Sequence, residues 1–129
     1  KKKKKKKKKK NPPPPARRVT IHVGGEDVIV SADCASSVAL VVNELVQNAL
    51  KYAFPSGQAG RIGIELHSGR PLCQLTVWDN GVGFQADRPR PGGAGLELAS
   101  TIVREKLTGE WSVESGPGGT RISFDFLEQ

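Results

Sequence analysis

The chain has 129 residues, with 20 lysines and arginines against 13 aspartates and glutamates, giving a formal net charge of +7. That is one domain's worth of chain, long enough to close a single core. Ten of the lysines form an unbroken run at 1–10, and without it the balance is ten basic to thirteen acidic residues, net −3, so the overall basicity is no footing for nucleic-acid binding.

Like charges in such a run cannot collapse on one another, and prolines 12–15 hold the next stretch extended. Residues 1–16 are therefore read as a tail or artefact outside the fold, and residues 17–129 as the domain. Cys34 and Cys73 lack metal-site spacing and are expected as thiols in a reducing cytosol. No apolar run approaches the ~20 residues that span a bilayer. A cytoplasmic fragment with no membrane contact of its own is expected, which leaves a membrane-tethered parent open.

Val19, Ile21 and Val23 alternate with polar residues as in a half-buried strand. Gly24-Gly25 predicts a turn into a second short strand around Val28 and Val30, making a hairpin. Ser31 or Asp33 is placed to cap the helix that follows. That helix is predicted over 36–53, where Val38, Val42, Leu45, Ala49 and Ala53 recur at steps of three and four. Phe54-Pro55-Ser56-Gly57 ends it.

Two strands come next, one with Ile62, Ile64 and Leu66 on a shared face, the other with Cys73, Leu75, Val77 and Asp79. Ser68-Gly69-Arg70-Pro71 turns between them. Residues 80–95 hold five glycines and two prolines without periodicity and read as a long functional loop. A second helix is predicted over 96–107, stopped by Thr108-Gly109. Trp111 with Val113, then Ile122 with Phe124 and Phe126, mark the last two strands around a glycine turn at 116–119. The order β-β-α-β-β-loop-α-β-β predicts an α+β fold: a two-layer sandwich with a mixed, mostly antiparallel sheet and helices on one face.

Glu44, Asn48 and Lys51 fall on one stripe of the first helix. The first two offer hard oxygen ligands for Mg²⁺ and the third a point charge for phosphate. The same spacing also suits a solvated polar face. Asp79 ends its strand on the core side, and a buried carboxylate needs donors in place of water, such as an adenine amino group. Gly81 and Gly83 then let the backbone approach a flat ligand. Gly92-Gly93-Ala94-Gly95 runs into a helix N-terminus, a ready anion site, though the P-loop pattern is absent. Thr120 follows Gly118-Gly119 and brings a hydroxyl near the base edge.

In this order and spacing the motifs resemble the catalytic ATP-binding domain (Bergerat fold) shared by histidine kinases, type II topoisomerases, Hsp90 chaperones and DNA-repair MutL proteins. The string Asn43-Glu44-Leu45-Val46-Gln47-Asn48-Ala49-Leu50-Lys51-Tyr52-Ala53-Phe54 looks like the N box, residues 79–84 like the G1 box, Gly93 to Leu96 like the G2 box, and Gly118-Gly119-Thr120 like the last motif. The string is most similar to bacterial sensor kinases of the HWE and related HisKA_2 classes. The resemblance implies Asn48 as ligand of the Mg²⁺ that bridges the ATP phosphates, Glu44 near the metal and the attacking group, and Lys51 against phosphate charge. It implies an adenine contact from Asp79, a pocket shaped by Gly81 and Gly83, nucleotide binding by Tyr52, phosphate contacts at Gly93, Gly95 and Leu96, and help from Thr120 at the base. Residues 84–93 would form a short ATP lid.

No phosphoacceptor segment is present. His22 lies on the solvent side of its strand and His67 at a strand end, both as ordinary surface histidines. The implied partners are a helical dimerisation and phosphoacceptor domain of the parent and a downstream response regulator. Two alternatives stay open: a serine kinase of the anti-sigma-factor type, and a non-catalytic ATP-sensing module.

Overall fold

The computed structural model describes residues 18–84 and 94–128. Its elements are β1 (Val19–Gly25), α1 (Ala32–Tyr52), β2 (Gly60–Ser68), β3 (Leu72–Asp79), α2 (Ala94–Glu105), β4 (Trp111–Gly116) and β5 (Gly119–Leu127). The lysine and proline tail and lid residues 85–93 lie outside the described residues.

The strands form one sheet in the order β1-β2-β3-β5-β4. β1 runs parallel to β2, and every other pairing is antiparallel. Alternation puts Ile62, Cys73, Leu75, Val77, Ile122, Phe124 and Phe126 on the side that the helices cover, joined there by Val41, Leu45, Ala49, Ala99, Ile102 and Val103 in one core. Burying each of the larger side chains stabilises the fold by about 1.5–3 kcal/mol. This is the α+β sandwich expected.

The hairpin expected at Gly24-Gly25 does not form. Residues 26–30 belong to no strand, and β1 pairs with β2 across the intervening helix. Gly25, at φ 112°, bends the chain where it passes the backbone of Leu66, and Glu26 N–H donates to the Leu66 carbonyl at 2.8 Å. Val28 and Val30 still pack against the core, so their alternation reports burial without a ladder partner.

Helix α1 begins four residues before the predicted start. Ser31 caps it, its Oγ accepting Cys34 N–H at 3.1 Å, with Asp33 in the first turn and Lys51 in the last, each favourable to the helix dipole. The buried face is Val41, Leu45, Asn48 and Ala49; Val38 and Val42, expected on the apolar face, are only half-buried. α2 begins two residues before its predicted start. It ends at Glu105, two residues before the predicted end, and the chain turns away through Thr108, whose φ is 49°, with Gly109 N–H donating to the Val103 carbonyl at 3.0 Å. Among the described residues, no helix is long and apolar enough to cross a membrane.

Candidate functional site

Three polar side chains gather at one end of the sheet. Asp79 closes β3 opposite Thr120, and Thr120 also faces Ser115 of β4. The three side chains therefore form a row on the helix-facing side of adjacent strands. Asp79 and Thr120 are 8% and 4% exposed, so both depend on protein or ligand partners rather than bulk water. Asp79 Oδ1 accepts Gly81 N–H at 2.9 Å. Asn80 fixes the strand end, its Oδ1 accepting Arg61 N–H at 2.8 Å while its own N–H donates to the Arg61 carbonyl at 3.2 Å.

From there the chain crosses to the end of α1 and back over the sheet. Val82 N–H donates to the Ala53 carbonyl at 2.9 Å, and Phe84 N–H to Ser115 Oγ at 2.8 Å. A Cβ on Gly81 would collide with the Ala53 carbonyl, and one on Gly83, whose φ is 69°, with the Gly116 carbonyl. Both glycines are thus required by close backbone packing within the protein itself, before any ligand is considered. Ser115 Oγ lies 2.7 Å from Thr120 Oγ1, which completes a hydrogen-bonded line from Phe84 to Thr120.

Asn48 is 5% exposed and belongs to the buried face of α1, five residues before the Ala53 carbonyl that anchors the loop. Glu44 and Tyr52 are half-buried, and Lys51 is exposed. The predicted stripe therefore runs from the interior out to solvent. In α2, Leu96 is half-buried, Gly95 stands inside the first helical turn rather than in a loop before it, and Gly93 lies outside the described residues.

Two cavities open near this end. One of about 430 Å³ lies between Trp78, Asp79, Asn80 and the β4–β5 hairpin at Gly118, Thr120 and Arg121. The other, about 340 Å³, lies under α2 beside Phe84, Leu96, Ser100, Trp111 and Val113. Asn48 lines neither. A larger one of about 610 Å³ sits at the first turn of α1 beside Cys34, Lys106 and Leu127, and none of the candidate residues lines it.

Among the described residues, no three His, Cys, Asp or Glu side chains converge on a metal site. A divalent ion here would draw its remaining ligands from phosphate and water, and the oxygens of Asn48 and Glu44 are the hard donors that Mg²⁺ accepts. His22 is exposed, and His67, also exposed, lies 3.8 Å from Glu65. Both cysteines are free thiols, Cys73 buried and Cys34 half-buried, and burial pushes both thiols up from their ordinary value.

Ser115 is the polar residue that sequence reasoning passed over. The signal was available: Trp111, Val113 and Ser115 alternate, so the helix-facing side of β4 ends on a hydroxyl.

A family model described as "Histidine kinase-, DNA gyrase B-, and HSP90-like ATPase" matches residues 34–129. The chain belongs to this ATPase family. The domain is 31% identical over 112 residues to Blue-light-activated histidine kinase 2 of Erythrobacter litoralis, covering 83% of this chain and 32% of that protein. It is 36% identical over 116 residues to the swarming motility regulation sensor protein RssA of Serratia marcescens, covering 78% of this chain and 24% of that protein. The chain thus spans a third or less of these relatives. The solved histidine kinase domain of a blue-light-activated kinase from Erythrobacter litoralis superposes with a TM-score of 0.74 at 26% identity, covering 84% of this chain and 51% of that one. Histidine kinase ThkA, crystallised in complex with response regulator protein TrrA, shares the fold at a TM-score of 0.66 and 17% identity, covering 86% of this chain and 34% of that one. The domain is therefore a histidine kinase-like ATPase domain, similar to the catalytic domains of sensor histidine kinases, and an ATPase domain of this family binds ATP.

Proposed function

We propose that this domain presents the γ-phosphate of Mg·ATP to a histidine on a helical phosphoacceptor domain elsewhere in the parent kinase, which then passes the phosphoryl group to a response regulator. The observation that carries this reading is the buried row of Asp79 and Thr120 at the sheet end, tied through Val82 and Ala53 to the helix that bears Asn48.

Asp79 accepts a hydrogen bond from the adenine amino group, with Thr120 beside it on the next strand. Gly81 and Gly83 keep the connecting backbone close-packed, so the base meets a preformed wall. Asn48 and Glu44 supply oxygens on the phosphate side, and Lys51 brings its ammonium from solvent. Magnesium, when bound with the phosphates, neutralises charge that builds on the oxygens around the transferred phosphorus. The domain's own work is positioning: it holds the γ-phosphorus for in-line attack by an imidazole nitrogen while the bond to the ADP oxygen breaks.

The test is Asn48→Asp in the full-length kinase. Phosphotransfer is expected to be lost, and wild-type activity in the variant would contradict the ligand role. The acid stability of the product separates the acceptors, because phosphohistidine is acid-labile and phosphoserine is not. An acid-stable product would favour the serine-kinase alternative.

A further inference from the structure

Ser115 is not among the residues that the sequence singles out, yet it sits in the middle of the polar line at the sheet end. Thr120 is 4% exposed, so the direction of its hydroxyl is set by groups within bonding reach rather than by bulk water. Ser115 Oγ is one such group, 2.7 Å from Thr120 Oγ1. One proton lies between two hydroxyl oxygens at that separation, and either oxygen is able to supply it. The tie is broken by Phe84, whose backbone N–H donates to Ser115 Oγ at 2.8 Å. An oxygen that already accepts a hydrogen bond is polarised into a stronger donor. The line then runs from Phe84 N–H to Ser115 O–H to Thr120, which leaves the proton of Thr120 free to turn away from Ser115.

We infer that Ser115 is a positioning residue for base recognition: through its bond to Thr120 it fixes that hydroxyl as a donor into the nucleotide cleft. A fixed donor selects a ring nitrogen that accepts. Adenine offers an unprotonated N1, whereas guanine carries a proton there. Asp79 and Thr120 then form an acceptor–donor pair matched to the amino group and N1 of adenine. Phe84 lies in the connection between β3 and α2, so the same hydroxyl also joins that connection to the base-reading pair.

This inference rests on the ATP-binding reading above, and the experiment separates the two. Mg·ATP affinity is measured by calorimetry, and Mg·GTP affinity by displacement of ATP, for the wild-type domain, Ser115→Thr and Ser115→Val. Thr and Val share a shape and differ in the hydroxyl. The Thr variant is expected to keep the wild-type ratio of ATP to GTP affinity within about twofold, as one restored hydrogen bond implies. The Val variant should lose about threefold to tenfold in ATP affinity, the worth of one neutral hydrogen bond, with GTP changing less, so that the ratio falls. Ser115→Ala repeats the comparison without added bulk should Val fail to fold. Equal ratios in all variants, or equal losses for both nucleotides, would overturn the role of Ser115 and leave ATP binding standing. A wild-type domain that binds neither nucleotide would overturn the underlying reading as well.

Discussion

Replacing Asp79 by Asn tests the proposed adenine contact with little disturbance to the fold. The amide oxygen of Asn is able to accept Gly81 N–H where the carboxylate does so now, at 2.9 Å, so the turn after β3 should survive. What changes is the rest of the group, where a charged acceptor becomes an amide N–H₂ that opposes the amino group of adenine, donor against donor. A hydrogen bond to a charged acceptor contributes about 1.5–3 kcal/mol, so ATP affinity should fall about 10- to 150-fold. The new donor also suits the O6 of guanine, so base selectivity should relax. Titration calorimetry with Mg·ATP on both proteins, beside their thermal melts, reads the effect. A variant that melts like the wild type and binds ATP within a factor of two would refute the assignment of Asp79 to the base.

Gly83→Ala places a side chain at φ 69° and against the Gly116 carbonyl, so it should destabilise the domain by about 2 kcal/mol or more; an unchanged urea midpoint would contradict the packing argument. Glu128 accepts Ser68 Oγ–H at 2.7 Å and Ile29 N–H at 3.3 Å, and these bonds, led by Ser68, hold its folded pKa below the ordinary 4.5. A depressed folded value means that the contribution is present above the unfolded pKa and lost as pH falls through the folded one. The stability difference between wild type and Glu128→Gln should therefore be steady near neutrality and shrink in acid, and a difference unchanged from about pH 7 to about pH 3 would contradict it.

Much of this site was legible because its motifs lie within single elements. Simple alternation with Leu75 and Val77 places Asp79 on the core side, and helical spacing puts Asn48 one step from Glu44. Apart from shifted helix ends and faces, the failures are relations between distant segments. The sequence pattern at 19–30 reads as a hairpin because two glycines separate two alternating runs, yet the partner of β1 is β2, beyond a helix of 21 residues. No local signal specifies a parallel pairing at that distance. Gly81 and Gly83 were recognised as needed, but for a ligand; the atoms that forbid their side chains belong to Ala53 and Gly116, one before the motif and one well after it. Ser115 escaped notice for the same reason, since its meaning comes from Thr120 across the hairpin and Phe84 across the sheet end.

Backbone amide shifts recorded during titration with Mg·ATP ask where on the surface the nucleotide lands. The account predicts that the largest changes fall on Asn48, Gly81, Gly83 and Thr120. Changes confined to the other pole, at Ser31, Lys106 and Leu127 around the cavity of about 610 Å³, would contradict it, as would a spectrum that does not move.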